Sequence, residues 1–259
     1  MRFIFIIIFI SFSSKGQNLY FPGKLWEEKS PESQGIDIKK LDKAIEFAIS
    51  NENAVDKDLR ISIIKSFGRE PGYKIKGPTK KRGDSNGLII KNGYIIGKWG
   101  DTKRVDMTFS VTKSYLSTVA GIAYDKNLIS IDDKLKDYIW DGKFDDTHNS
   151  QITWHHLLNQ SSQWSGELFG TYDWADRPPR GLSLEEIKKQ KLLPPGQAYK
   201  YNDVRVNLLS FSLLNVFRKP LPAVLKENIM DPIGASSTWR WYGYENSMVV
   251  MDGVNVQSV

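Results

Sequence analysis

Apolar residues recur at helical spacing in several stretches of this chain and as short β-branched runs in one other. Leu41, Ala44, Ile45 and Ala48 fall on one face at 3.6 residues per turn, with Asp37 placed to accept from the first free amides, which predicts a helix from Asp37. Ser30 to Gly35 reads as the turn before it. Residues 67 to 86, rich in Gly, Pro and Lys, read as a loop. Gly87 to Trp99 then reads as two strands joined at Asn92-Gly93, a pair that tolerates the positive φ a tight hairpin needs. Leu116, Val119, Ala120 and Ala123 return to the helical period with no charge between Lys113 and Asp125, the mark of a buried helix.

From Leu135 to about Gly196 the pattern is of short helices and loops. Thr153 precedes a helix from Trp154 to Asn159, and Ser183 caps Leu184 to Gln190, with Glu186 completing a capping box. Pro194-Pro195-Gly196 interrupts the chain, and a helix from Val204 to Phe217 is expected to end at Pro220 and Pro222. There is no internal repeat and no low-complexity tract.

With 259 residues, 40% of them apolar, the chain is long enough to bury a full core in one large domain or two lobes. The first residues change the expected location. Met1-Arg2, the apolar run Phe3 to Ile10 and small residues after it match a signal peptide, taken as residues 1–16, and predict an exported protein, periplasmic or secreted. That run is shorter than the roughly 20 residues a membrane span needs, so no stable membrane insertion is expected after cleavage. Cysteine is absent, which excludes disulfides and thiol chemistry. The net charge of +6 is spread along the chain except at Lys74, Lys76, Lys80, Lys81 and Arg82, read as a solvated loop, and no nucleic-acid partner is expected.

Ser110-Val111-Thr112-Lys113, at the start of the buried helix, sets a hydroxyl and an amine one turn apart on one face. A serine hydroxyl is a weak nucleophile until a neighbouring base takes its proton, and a lysine does so only where its pKa is lowered. The same spacing at Ser62 and Lys65 lies in a short β-branched run; as a strand it would put the two side chains on opposite faces, and it is read as structural. His155 and His156 are adjacent and point apart, and His148 lies in a polar loop, so all three are read as structural. Asp132-Asp133 reads as a helix start, and neither metal nor cofactor is expected. The tryptophans Trp140, Trp164, Trp174, Trp239 and Trp241 divide between core and pocket wall in a way sequence does not sort.

Taken in order, Phe109-Ser110-Val111-Thr112-Lys113-Ser114, Ile152 to Leu158, Pro194-Pro195-Gly196, Tyr201-Asn202-Asp203 and Asp231 to Ala235 resemble the serine β-lactamase-like hydrolases. The nearest branch is that of class C β-lactamases, D-Ala-D-Ala peptidases, esterases and 6-aminohexanoate-dimer hydrolase, and the resemblance covers about residues 24–259 as one domain. It implies an α/β (α+β) fold of the β-lactamase/transpeptidase kind: an antiparallel sheet flanked by helices, beside a helical region, with the active site between. It implies further that Ser110 is acylated, that Lys113 assists its deprotonation, that Tyr201 relays the proton, and that Asn202 and Asp203 contact the substrate.

Two departures accompany the resemblance. Asp203 stands where the family usually has Asn, adding negative charge near Lys113 and favouring the ammonium, unless Asp203 is protonated or faces Arg205. The family's Lys-Thr-Gly or His-x-Gly strand, source of an oxyanion-hole amide, is not found after Asp203, so a C-terminally truncated fragment with an incomplete sheet is expected. The leading reading is an exported serine hydrolase acting through an acyl-enzyme on a small-molecule or peptide amide or ester. The alternative is a non-catalytic peptide or cell-wall binding module of the same fold.

Overall fold

A computed structural model describes residues 20–70, 74–75 and 78–257. The expected signal peptide and Lys76 lie outside the described residues. The chain divides into two compact units, one comprising the N-terminal stretch to Glu52 with Asp84–Thr102, the other Asn53–Gly83 with Lys103–Val259.

In the first unit, helix α1 (Ile38–Ser50) begins where Asp37 accepts from the Lys40 amide at 3.2 Å, so the cap satisfies one of the donors a helix start leaves open. Strands β1 (Gly87–Lys91) and β2 (Tyr94–Trp99) pair antiparallel about Asn92 and Gly93, both left-handed at φ 52° and 85°. The right-handed strand twist matches that turn, which is why Asn-Gly predicts it. Leu41 and Ile45 of α1 pack on β2 at Gly97, where a Cβ would sit only 3.3 Å from Ile45 Cδ1.

The second unit opens with α2 (Leu59–Phe67), which corrects the expected strand around Ser62. Its start is capped by Asp58, which accepts from the Arg60 amide at 2.9 Å, and the weak propensity of its β-branched residues is overridden by that cap and by tertiary packing. The core is helical. Helix α3 (Thr112–Asp125) buries Leu116, Val119, Ala120, Ile122 and Ala123. Short α4 (Trp154–Leu158), the two-residue strands β3 (Glu167–Leu168) and β4 (Thr171–Tyr172), and α5 (Leu184–Lys188) lead to α6 (Asp203–Phe217). Both α3 and α4 pack on α6, which buries residues all round its circumference, Leu208, Leu213 and Leu214 completely. Among the described residues no single helix is long and apolar enough to cross a membrane.

Besides β3 and β4, which fall in the stretch read as helices and loops, elements near the C-terminal end were not expected from sequence. Pro220 and Pro222 do not close α6, which ends at Phe217 with Arg218 left-handed at φ 52°; they begin α7 (Leu221–Leu225), because the first helical turn has no use for the N–H that proline lacks. Strands β5 (Met248–Met251) and β6 (Val254–Gln257) form a further hairpin about Asp252 and Gly253, at φ 51° and 80°. The architecture is mixed α/β, and the named strands form three separate two-stranded antiparallel sheets, with isolated bridges at Glu28–Ile95 and Lys134–Thr153.

Helix α4 is closed by an unusual capping box. Thr153 Oγ1 accepts from the His156 amide at 3.3 Å, while His156 Nδ1 accepts from the Thr153 amide at 3.1 Å, a role glutamate or glutamine ordinarily fills. Burial and the neighbouring His155 push the His156 pKa down from its usual value. A histidine held neutral when folded contributes stability that is complete above its unfolded pKa, about 6.5, and is lost as pH falls through that value towards the lower folded one. Thermal denaturation from pH 7.5 to 5.0 is therefore expected to show a falling melting temperature. His156→Gln, which keeps the acceptor and cannot be protonated, should reduce that slope; an unaltered slope would remove His156 from the account.

Candidate active site

Ser110 sits in a 3₁₀ turn, Phe109–Val111, that runs directly into α3. Phe109, immediately before it, is left-handed at φ 47°, an outlier for so bulky a residue and a local source of backbone strain. Lys113 lies in the first turn of α3, and its Nζ donates to Ser110 Oγ at 3.2 Å. Because α3 and α6 pack together, their N-terminal ends converge, and Tyr201 Oη, just before α6, donates to the same Ser110 Oγ at 2.6 Å across 91 residues of sequence.

Asp203 is the first residue of α6, and its carboxylate is shared. Oδ1 lies 2.6 Å from Lys113 Nζ and Oδ2 lies 2.8 Å from Arg177 Nη1. Arg177 is left-handed at φ 49°, contacts Asp176 at 3.0 Å, and places its guanidinium carbon 4.5 Å from the Tyr201 ring centre, from which Lys113 Nζ lies 4.7 Å. The backbone amide of Asp203 donates to Asp176 Oδ2 at 2.5 Å. Of the two alternatives for Asp203, facing Arg205 is excluded, since Arg205 is turned inward and buried against Asp173.

These neighbours decide the charge on Lys113. Burial favours the neutral amine, but contacts to Asp203 and Tyr201 outweigh it and hold the pKa above the usual lysine value. Burial and Asp203 push the Asp176 carboxyl up, and burial and Asp176 do the same to Glu70 at the cavity wall.

Beneath the site lies a buried polar knot. Asn202, expected as a substrate contact, is fully buried: its Oδ1 caps α6 by accepting from the Arg205 amide at 2.9 Å, and its Nδ2 donates to the Asp173 carbonyl at 2.7 Å. Asn202 thus faces the interior rather than the cavity. The Arg205 and Asp173 side chains, 2% and 5% exposed, pair at 3.0 Å, while Arg205 Nε donates to the Trp164 carbonyl and Asp173 Oδ1 accepts from the Gly166 amide. Lys200 and Asn202 amides donate to Gln160, so both flanks of Tyr201 are pinned.

Ser110, Lys113, Arg177 and Asp203 line a cavity of about 640 Å³ whose other walls include Phe67, Met107, Phe169 and Tyr244. A separate hollow of about 460 Å³, beside Tyr138, Trp140 and Arg218, contains no member of the motif. At the second Ser-x-x-Lys, Lys65 is paired with Asp56 at 2.7 Å. Trp154 and Trp164 are buried, whereas Trp140 is exposed. In the basic loop, Lys80 faces Asp106 at 3.5 Å and Arg82 donates to the Val55 carbonyl. Asp133 is no helix start; it accepts from the Tyr138 hydroxyl. Among the described residues no group of three or more His, Asp or Glu is arranged to hold a metal ion. Arg177 was missed from sequence: nothing in Asp176-Arg177-Pro178-Pro179 indicates that it reaches Asp203, and only the packing of α6 beside it reveals the contact.

Residues 88–243 match the β-lactamase family profile, and the chain belongs to that family. The resemblance carried by its ordered motifs is thereby borne out. Among solved structures, a β-lactamase/D-alanine carboxypeptidase from Yersinia pestis is 24% identical, over 48% of this chain and 37% of that one, with a TM-score of 0.35. A class C β-lactamase from Rhodobacter sphaeroides is 18% identical, over 50% and 35%, with a TM-score of 0.36. EstCE1, a hydrolase with promiscuous acyltransferase activity, is 16% identical, over 76% and 52%, with a TM-score of 0.44. The matched regions thus span about a third to a half of these structures' length. No curated protein matches the chain.

Proposed function

We propose that this protein is a serine hydrolase that cleaves an amide or ester through a covalent acyl-enzyme on Ser110. The observation that carries the reading is the convergence of Tyr201 Oη and Lys113 Nζ on Ser110 Oγ, at 2.6 and 3.2 Å, in the wall of a cavity. Ser110 Oγ attacks the substrate carbonyl carbon, forming the C–O bond as its proton passes to the Lys113/Tyr201 pair. The tetrahedral adduct collapses by breaking the bond to the leaving group, which takes that proton, and Tyr201 is its donor. Water then attacks the acyl carbon by the reverse proton path, releasing the acid and restoring Ser110. Residues 1–16 support an exported protein, periplasmic or secreted, and the cavity supports a small-molecule or peptide acyl substrate.

Incubation with a fluorophosphonate or a short acyl ester, followed by intact-mass spectrometry and peptide mapping, tests this. One stable adduct on Ser110 is expected; a folded protein that forms none would overturn the reading. The labelling rate should also climb with pH. Lys113 is held as the ammonium and the proton-accepting form of the pair is scarce at neutrality, so the rate should rise towards about tenfold per unit through the alkaline range. A pH-independent rate would remove the pair from the proton path.

A second reading has a specific observation behind it. The Lys113–Asp203 ion pair opposes a basic lysine, as a non-catalytic binding module of the same fold would tolerate. Binding of a peptide unchanged by Ser110→Ala, with no adduct from any acyl probe, would favour it.

A further inference from the structure

The cation on the far side of Asp203 has no part in the chemistry above, yet it touches every charged member of the site but one. Arg177 Nη1 is within 3.1 Å of both Asp176 oxygens and 2.8 Å from Asp203 Oδ2, and its guanidinium lies over the Tyr201 ring. Lys113 holds the other oxygen of the same Asp203 carboxylate. We propose, on the footing of the hydrolase reading, that Arg177 is a positioning residue: by taking half of Asp203 it loosens the hold of that carboxylate on Lys113, and so sets the pH at which Ser110 becomes reactive.

The argument is one of competition. A lone aspartate 2.6 Å from an ammonium would bind it with its full charge and leave the lysine a poor proton acceptor. A guanidinium on the second oxygen draws that charge away and repels the ammonium directly. Both effects act in the same sense. Arg177 also lies against the face of the Tyr201 ring, whose hydroxyl meets Ser110. The titratable and charged groups facing Arg177 are Asp203 and Tyr201 from the start of α6, Asp176 from its own loop, Glu70 from the segment after α2, and, across Asp203, Lys113 from α3. Phe67 of α2 packs its ring 5.6 Å from the guanidinium carbon and helps to hold it in place. Three carboxylates thus share two cations, and removing one cation leaves Lys113 to face the excess alone. One nitrogen, Nη1, meets both Asp176 and Asp203, so the charge at that point and not the planar fork is what the position needs.

The test uses the full chain and two readouts. The first is the pH dependence of fluorophosphonate labelling at Ser110. The second is the ionisation of Lys113, followed by its 13Cε shift in lysine-labelled protein and assigned with Lys113→Arg. Arg177→Gln keeps donors for Asp176 and Asp203 without the charge. It is expected to move the midpoint of both profiles up by about one unit, slowing labelling about tenfold at pH 7.5. Arg177→Lys should recover much of that shift. Asp203→Asn, which removes the shared carboxylate and keeps its shape, should move the midpoint down, and in that background Arg177→Gln should shift it far less. An unchanged midpoint in Arg177→Gln, or the same shift in both backgrounds, overturns the proposal. If Arg177→Gln does not fold, Asp203→Asn alone decides, since a midpoint that fails to fall shows that the carboxylate does not govern Lys113. A wild-type protein that never labels would defeat the hydrolase reading, while the Lys113 titration would still decide the role of Arg177.

Discussion

Ser110→Ala is expected to leave a folded protein that forms no covalent adduct and has lost turnover of any acyl ester the wild type accepts. The size of the loss follows from what the hydroxyl does in the proposed reaction. It supplies the bond to the acyl carbon, and no neighbouring group can replace it: Tyr201 Oη and Lys113 Nζ both point at the position the oxygen vacates. Removing a hydrolase nucleophile costs roughly 10⁶-fold in kcat, the residue of activity coming from binding and polarisation alone. Stability should hardly move, because Ser110 is exposed and such substitutions stay within about 0.5 kcal/mol. Ester turnover and intact mass on the same preparation, with a denaturation curve beside them, check both halves. An adduct of unchanged yield on the alanine variant would place the nucleophile elsewhere and end the assignment.

Asp173→Ala carries the largest expected cost in stability. The carboxylate is 5% exposed, pairs with an arginine that is 2% exposed, and accepts from the Gly166 amide. Burial alone lowers the Arg205 pKa, and Asp173 is the main group opposing that. Deleting the acid leaves a guanidinium buried without its counter-charge and an amide without its acceptor, an arrangement that typically costs about 3–5 kcal/mol. Urea denaturation at neutral pH should show a loss of that order. The double variant Asp173→Ala with Arg205→Met should lose less than Asp173→Ala alone, because the stranded charge is gone. A loss below about 1 kcal/mol would mean that water or a rearranged side chain reaches Arg205. Because Asn202 and the peptide on either side of Tyr201 are anchored in the same knot, the single variant should also label more slowly at Ser110 in conditions where it remains folded.

Much of the helical framework was legible because its signals are local. Asp37, Thr153 and Ser183 mark helix starts by bonding to amides three residues away, and no distant contact is needed to read them. Asn92-Gly93 marks its hairpin for the same reason. Helix α2 was misread because Ile61, Ile63 and Ile64 favour strands intrinsically, and propensity is the weaker influence once a segment is capped and packed. The β5–β6 hairpin is local in the same way, since Asp252-Gly253 lies between two short apolar stretches. Pro222 misled because proline stops a helix only where an N–H is required, and at the start of α7 none is.

The sequence by itself determined the one-turn spacing of Ser110 and Lys113, the order of motifs that resembles the β-lactamase family, and the presence of an acid, Asp203, two residues after Tyr201. Those are properties of neighbours along a chain or of order within it. Only the tertiary structure decided that Asp203 turns to Lys113 and Arg177 while Arg205 turns inward to Asp173, and that Asn202 is spent on the interior. Residues 203 and 205 sit two apart on one helix, so they point in different directions, and which one meets the cavity depends on how α6 is rotated against α3. That rotation is set by burying Val204, Leu208 and the other apolar residues of α6, a sum over contacts between segments far apart in sequence that no local pattern encodes.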